Sequence, residues 1–128
     1  MEQKYITVKN NGKKILSNSI LYGRKKVEKD ALSEWKKIDE HLYVTPDSEY
    51  IICFDDDFVE LAYSFSLSDD TVWPFSGQIW SVNDKGIKDT DNTIVIGEEN
   101  DNPTIEVVIN DRVVANECNN PGENTINN

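Results

Sequence analysis

Between Val59 and Leu67 the chain alternates without interruption: Val59, Leu61, Tyr63, Phe65 and Leu67 are apolar, while Glu60, Ala62, Ser64 and Ser66 are small or polar. A period of two sends successive side chains to opposite faces of a pleated strand, so this stretch commits to β structure with one face in a core. The rest of the chain must then supply partner strands. Residues 50–54 form a continuous apolar run between Asp55-Asp56-Asp57 and Pro46-Asp47-Ser48. Proline at the second position of the latter predicts a type I turn, and residues 42–45 before it read as a short strand.

Toward the N-terminus, residues 4–9 alternate, and Asn10-Asn11-Gly12 offers the positive φ angles of a tight hairpin into a second strand over about residues 13–22, after which Gly23 breaks the pattern. Toward the C-terminus, Ser68-Asp69-Asp70 reads as a turn and Trp73-Pro74 as irregular, because proline cannot donate within a central strand. Strand character returns over residues 75–82, and Asn83-Asp84-Lys85-Gly86 has the composition of a hairpin loop. Residues 93–96, 104–109 and 112–115 complete the β signal, with Asn110-Asp111 as a two-residue turn.

One segment reads differently. Over residues 25–40, Val27, Ala31, Leu32, Trp35 and Ile38 fall on one stripe of a 3.6-residue period among charged neighbours, which predicts an amphipathic helix laid on a sheet. The expected fold is therefore mainly β (α+β): an antiparallel β-sandwich or curved sheet of about 8–10 short strands with one amphipathic helix near residues 25–40. Residues 1–118 make a single domain on this reading, and residues 119–128, rich in Asn, a disordered tail.

Charge narrows function. The 128 residues carry a formal net charge of −11, unevenly: residues 1–40 hold ten Lys or Arg and six Asp or Glu, a balance of +4, leaving −15 for the remainder. An acidic surface repels nucleic acid and anionic membrane and attracts basic partners or cations. No apolar run is long enough to span a bilayer, and Met1 to Lys4 lead straight into a strand-like stretch, so the expected location is cytoplasmic.

The chemistry-bearing residues form no catalytic constellation. Hard cations take oxygen ligands from loops like those holding Asp55-Asp56-Asp57, Asp69-Asp70, Asp84 with Asp89 and Asp91, and Glu98-Glu99 with Asp101, but none has the spacing of an EF-hand, and Asp and Asn are also the ordinary residues of solvated turns. His41 is the sole histidine, and no CxxC or HExxH occurs to build a zinc site with it. Cys53, within Ile51-Ile52-Cys53-Phe54, reads as a small buried hydrophobe, and both it and Cys118 as free thiols. The glycines form no phosphate loop.

These features predict a non-enzymatic, cofactor-free and metal-free binding module: an inhibitor or toxin-neutralising, immunity-type protein with an acidic face for a basic protein partner such as a toxin or nuclease, without direct contact to nucleic acid or membrane. The partner-binding residues on this reading are Asp55, Asp56, Asp57, Asp69, Asp70, Trp73, Glu98, Glu99 and Asp101. The alternative is a calcium- or carbohydrate-binding β-sandwich of a secreted or surface protein, with carboxylate loops gathered at one end.

Overall fold

The structure, a computed structural model, describes residues 3–29, 31–55, 57–67, 72–73, 80–81, 92–100, 102–109 and 111–115. Among these, eleven strands build two sheets, and the mainly β expectation holds. The first sheet has the order β11-β10-β9-β1-β5, comprising β1 (Gln3–Asn10), β5 (Ser48–Asp55), β9 (Thr93–Glu99), β10 (Asn102–Ile109) and β11 (Arg112–Ala115). The second is built on β2 (Leu16–Glu28) and β6 (Phe58–Leu67), with β3 (Ala31–Leu32) and β4 (Lys36–His41) pairing β2, and β7 (Val72–Trp73) and β8 (Trp80–Ser81) pairing β6. Neighbouring strands are antiparallel except β1 and β9, which run parallel from Thr7↔Thr93 to Asn10↔Ile96.

Alternation decides what lies between the sheets. Ile6, Val8, Ile52, Phe54, Ile94, Ile96, Ile105, Val107 and Ile109 of the first sheet meet Leu16, Leu21, Leu61, Tyr63, Phe65 and Leu67 of the second in one apolar cluster. Burying a large apolar side chain contributes roughly 1.5–3 kcal/mol, so this shared layer is what holds the sandwich closed. The other face of β6 is covered too: Ala62 and Trp35 form a second buried cluster with Tyr22 against it, and the Arg24 guanidinium lies 4.6 Å from the Trp35 ring centroid.

The helix predicted over residues 25–40 is absent. In its place β2 runs on to Glu28, β3 pairs Lys26↔Leu32, and β4 pairs Gly23↔Lys36 through Ser19↔His41. The apolar stripe does not share one buried face, since Trp35 is buried and Val27 and Leu32 are exposed. Antiparallel pairing of β3 and β4 back onto β2 supplies the backbone hydrogen bonds that a helix would have made locally, and it overrides a weak local periodicity.

Gly23 does not break the second strand. It sits buried inside β2, where a Cβ would fall 2.7 Å from Ile38 Cδ1 and 2.7 Å from Phe58 Cδ1, so its lack of a side chain lets β4 and the Phe58 ring close over the strand.

Two turns also differ. β1 and β2 do not pair as a hairpin: the chain crosses at residues 11–15 from the first sheet to the second. The turn at Pro46 has Asp47 at φ 63° with Ser48 N–H donating to the Thr45 carbonyl, which is type II geometry. The two-residue turn before β11 is as expected, with Ile109↔Arg112 flanking it and Asp111 at φ 64°. The expected tail at 119–128 lies outside the described residues.

Candidate functional site

Strand register separates two ends of the sandwich. At one, Asn10 faces Ser48 and Ile96, and Leu16 faces Leu67 and Val44. At the other, Gln3 faces Asp55, Lys25 faces Phe58 and Gly23 faces Lys36.

Asn10 organises the first end. Its side chain is fully buried at the crossing, where Nδ2 donates to the Lys14 carbonyl at 2.9 Å and the Val44 carbonyl at 2.8 Å, and Oδ1 accepts from Gly12 N–H at 3.0 Å. Its own carbonyl accepts from Asp47 N–H, and Asn11 N–H donates to the Ile96 carbonyl. One buried amide thus ties the crossing loop to the segment that follows β4, while the adjacent backbone secures β9.

The tie presents apolar side chains outward. Beyond the end of β4, Leu42 and Tyr43 are 59% and 76% exposed, and Ile15, beside the Leu16↔Val44 bridge, is 39% exposed. Buried Val44 and Leu16 point inward, so their neighbours must face water. Lys13 and Lys14 precede Ile15, and Glu98 shares with Lys14 the lining of a small recess at this end. Sequence reasoning placed residues 42–45 in a strand and missed this surface. The signal was present: two adjacent large apolar residues in a strand cannot both face one core.

Of the carboxylates singled out in the sequence, the four described ones divide between the two ends of the sandwich. Asp55 and Asp57 lie at the far end, both paired to Lys25, at 3.6 and 3.1 Å. The Asp57 hydrogen bond is the largest influence raising the Lys25 pKa, opposed by desolvation and reinforced by the charges of Asp57 and Asp55. Glu98 and Glu99 lie at the Asn10 end, where β9 passes into β10 through Asn102↔Glu99. Asp56, Asp69, Asp70 and Asp101 lie outside the described residues, as do Asp84, Asp89 and Asp91, and Trp73 is described only as a backbone member of β7.

Further cations are interleaved with the acids: Lys9 pairs with Glu49, Arg24 with Glu60, and Lys37 with Glu40. Among the described residues, Lys9 and Arg24 thus meet acids across strand pairs and Lys37 meets one within β4. Among the described residues no three His, Cys, Asp or Glu side chains gather as a metal site requires. His41 stacks on Tyr50 with ring centroids 3.7 Å apart and shares a 3.2 Å contact with Asp39. Cys53 is a free thiol but is exposed, because Ile52 and Phe54 take the inward positions on either side of it.

Fold and surface together define a two-sheet β-sandwich with one parallel strand pair and an apolar loop beside one end. No family model matches the sequence, and no curated protein does. Solved structures do share the fold. The chain is similar to the membrane-binding domain of pneumolysin, at TM-score 0.50 and 13% identity, over 87% of this chain and 100% of that domain. It is also similar to two structures of pneumolysin, at TM-scores 0.50 and 0.52 and 15% identity, over 87% and 86% of this chain. It spans 24% of each of those longer chains.

These neighbours correct the functional expectation. The fold is shared with a domain whose described role is membrane binding, and this overturns the reading of an immunity-type or inhibitor protein that takes a basic protein partner and makes no membrane contact.

Proposed function

We propose that this chain is a non-enzymatic module that binds a membrane surface by placing Leu42, Tyr43 and Ile15 in the interfacial layer of the bilayer. The observation that carries the reading is the adjacent exposure of Leu42 and Tyr43 on a segment anchored by buried Val44. Aliphatic and tyrosine side chains suit this layer, because one end of the phenol is apolar and the other wet. The likeness to a membrane-binding domain supports the same reading.

Charge selects the kind of membrane. Each large side chain fully removed from water contributes roughly 1.5–3 kcal/mol, whereas each charge near an anionic leaflet is worth about 1 kcal/mol. With a net charge of −11 on the chain, repulsion from an anionic surface cancels the apolar gain, and a zwitterionic surface leaves it intact.

The test is flotation with phosphatidylcholine vesicles, with and without phosphatidylserine. Binding is expected to the former, to survive raised salt, and to fall about tenfold or more in a Leu42→Ser, Tyr43→Ser variant that melts like the parent. Undiminished binding by that variant, or no binding to either vesicle, would sink the reading.

A further inference from the structure

Leu42 and Tyr43 sit in a gap of one strand ladder. Ser19 pairs His41 and Leu16 pairs Val44 in the same register, so β2 and the chain leaving β4 are aligned on either side of these two residues. Paired residues share a face, and Ser19, Leu16 and Val44 are buried, so His41 and Val44 both point inward. They stand three positions apart, an odd interval that a period-two strand cannot span with both ends on one face. The alternation must break between them, and the break is what sends both Leu42 and Tyr43 to water.

The two ends of the break are held differently. Val44 is fixed by backbone hydrogen bonds to and from Leu16 and by the Asn10 amide. The inward turn of His41 rests on side-chain contacts: its ring stacks on Tyr50 with centroids 3.7 Å apart, bridging the edge strands of the two sheets, and Nδ1 lies 3.2 Å from Asp39 Oδ2. A protonated imidazole gains from both neighbours, the carboxylate beside it and the π face beneath it. From β2 and β6 the facing groups are the Ser19 hydroxyl and the Tyr63 phenol, which bond each other, and Ser19 also bonds Tyr50. Glu40 pairs with Ile20 on the other face of β4 and is held there by Lys37. Turning His41 out and Leu42 in would restore regular alternation up to Val44 and withdraw Leu42 from the surface.

We propose that protonation of His41 fixes this break in place and so presents Leu42 and Tyr43, whereas the neutral ring releases it and lets Leu42 turn inward. The consequence for membrane binding rests on the function proposed above; the conformational exchange does not. An imidazole is the side chain whose ordinary charge change falls between about pH 5 and 8, a range in which ordinary carboxylates stay ionised.

His41 is the sole histidine, so its ring proton resonances report its charge without ambiguity. Methyl relaxation of Leu42 is expected to show a more rigid side chain at about pH 5.5 than at about pH 7.5, with a midpoint that coincides with the His41 ring titration. Flotation with phosphatidylcholine vesicles is expected to show about fivefold tighter binding at the lower pH. His41→Gln is expected to remove both differences and Asp39→Asn to reduce them, with the fold of each variant checked by thermal melting.

Leu42 relaxation that is equal at the two pH values, a midpoint unrelated to that of His41, or a pH difference that persists in His41→Gln would overturn the proposal and leave membrane binding standing. Absence of vesicle binding at both pH values would overturn the function proposed above, and the Leu42 relaxation would still decide this inference.

Discussion

Asn10 Nδ2 donates to the carbonyl of Val44 at 2.8 Å, across 34 residues of sequence, and this contact joins the sheet-to-sheet crossing to the segment that displays Leu42 and Tyr43. Both groups are buried, so neither can exchange its partner for water. Stability and presentation of the apolar surface are therefore coupled through one amide.

Asn10→Asp tests that coupling. The substitution keeps an acceptor for Gly12 N–H but replaces two donated hydrogen bonds with a carboxylate facing the Lys14 and Val44 carbonyls. The Val44 carbonyl keeps its bond from Leu16 N–H, so the cost comes from the two lost donated bonds and from a carboxylate set against two carbonyls, about 1–3 kcal/mol. Urea denaturation is expected to show a loss in this range or above it, with faster amide exchange at Leu16 and Val44, which donate to each other's carbonyls. A variant as stable as the parent would mean that the crossing is held by other contacts.

Gly23→Ala tests the close approach inside β2. Its Cβ would meet the Ile38 methyl and the Phe58 ring at 2.7 Å, and the ring, buried in the core, has less room to yield than the methyl. Overpacking of this kind costs about 1–3 kcal/mol. A lowered denaturation midpoint with an unchanged slope is the expected result; a raised midpoint, from reduced chain entropy in the unfolded state, would show that Phe58 relaxes freely.

Tyr50 sets an alkaline limit. Burial pushes its phenol up to about 12, opposed by the Ser19 hydrogen bond and assisted by the charge of Asp39. A group whose folded pKa lies above its unfolded value near 10 stabilises the protein fully below about pH 10 and loses that contribution as pH rises toward 12. Ultraviolet difference titration is expected to show a late-ionising tyrosine signal, and Tyr50→Phe to reduce it. If all five tyrosines titrate together near their ordinary value while the chain stays folded, Tyr50 is not buried as described.

How much was legible beforehand follows from the kind of signal. The alternation of residues 59–67 was decisive because period two has one structural meaning, and β6 occupies Phe58–Leu67 with Leu61, Tyr63, Phe65 and Leu67 in the core. The turn into β11 was legible because Asp111 tolerates the left-handed backbone that its position requires. The stripe in residues 25–40 misled because Trp35 packs from the link before β4 and Ile38 from β4 itself, while Val27 and Leu32 are left exposed.

The chain's own letters determined that it would be a β protein with a large aromatic and aliphatic core, because the period and bulk of the side chains require nothing but local geometry. They also determined how many charges there are, but not what those charges face. Which strands pair, that the chain crosses between sheets after Asn10 instead of turning back, and that Lys25 pairs with Asp55 and Asp57 while Leu42 and Tyr43 stay in water were decided only in three dimensions. The reason is physical: these outcomes depend on which distant backbone and charged groups satisfy one another, and that choice is made by the closed sandwich as a whole.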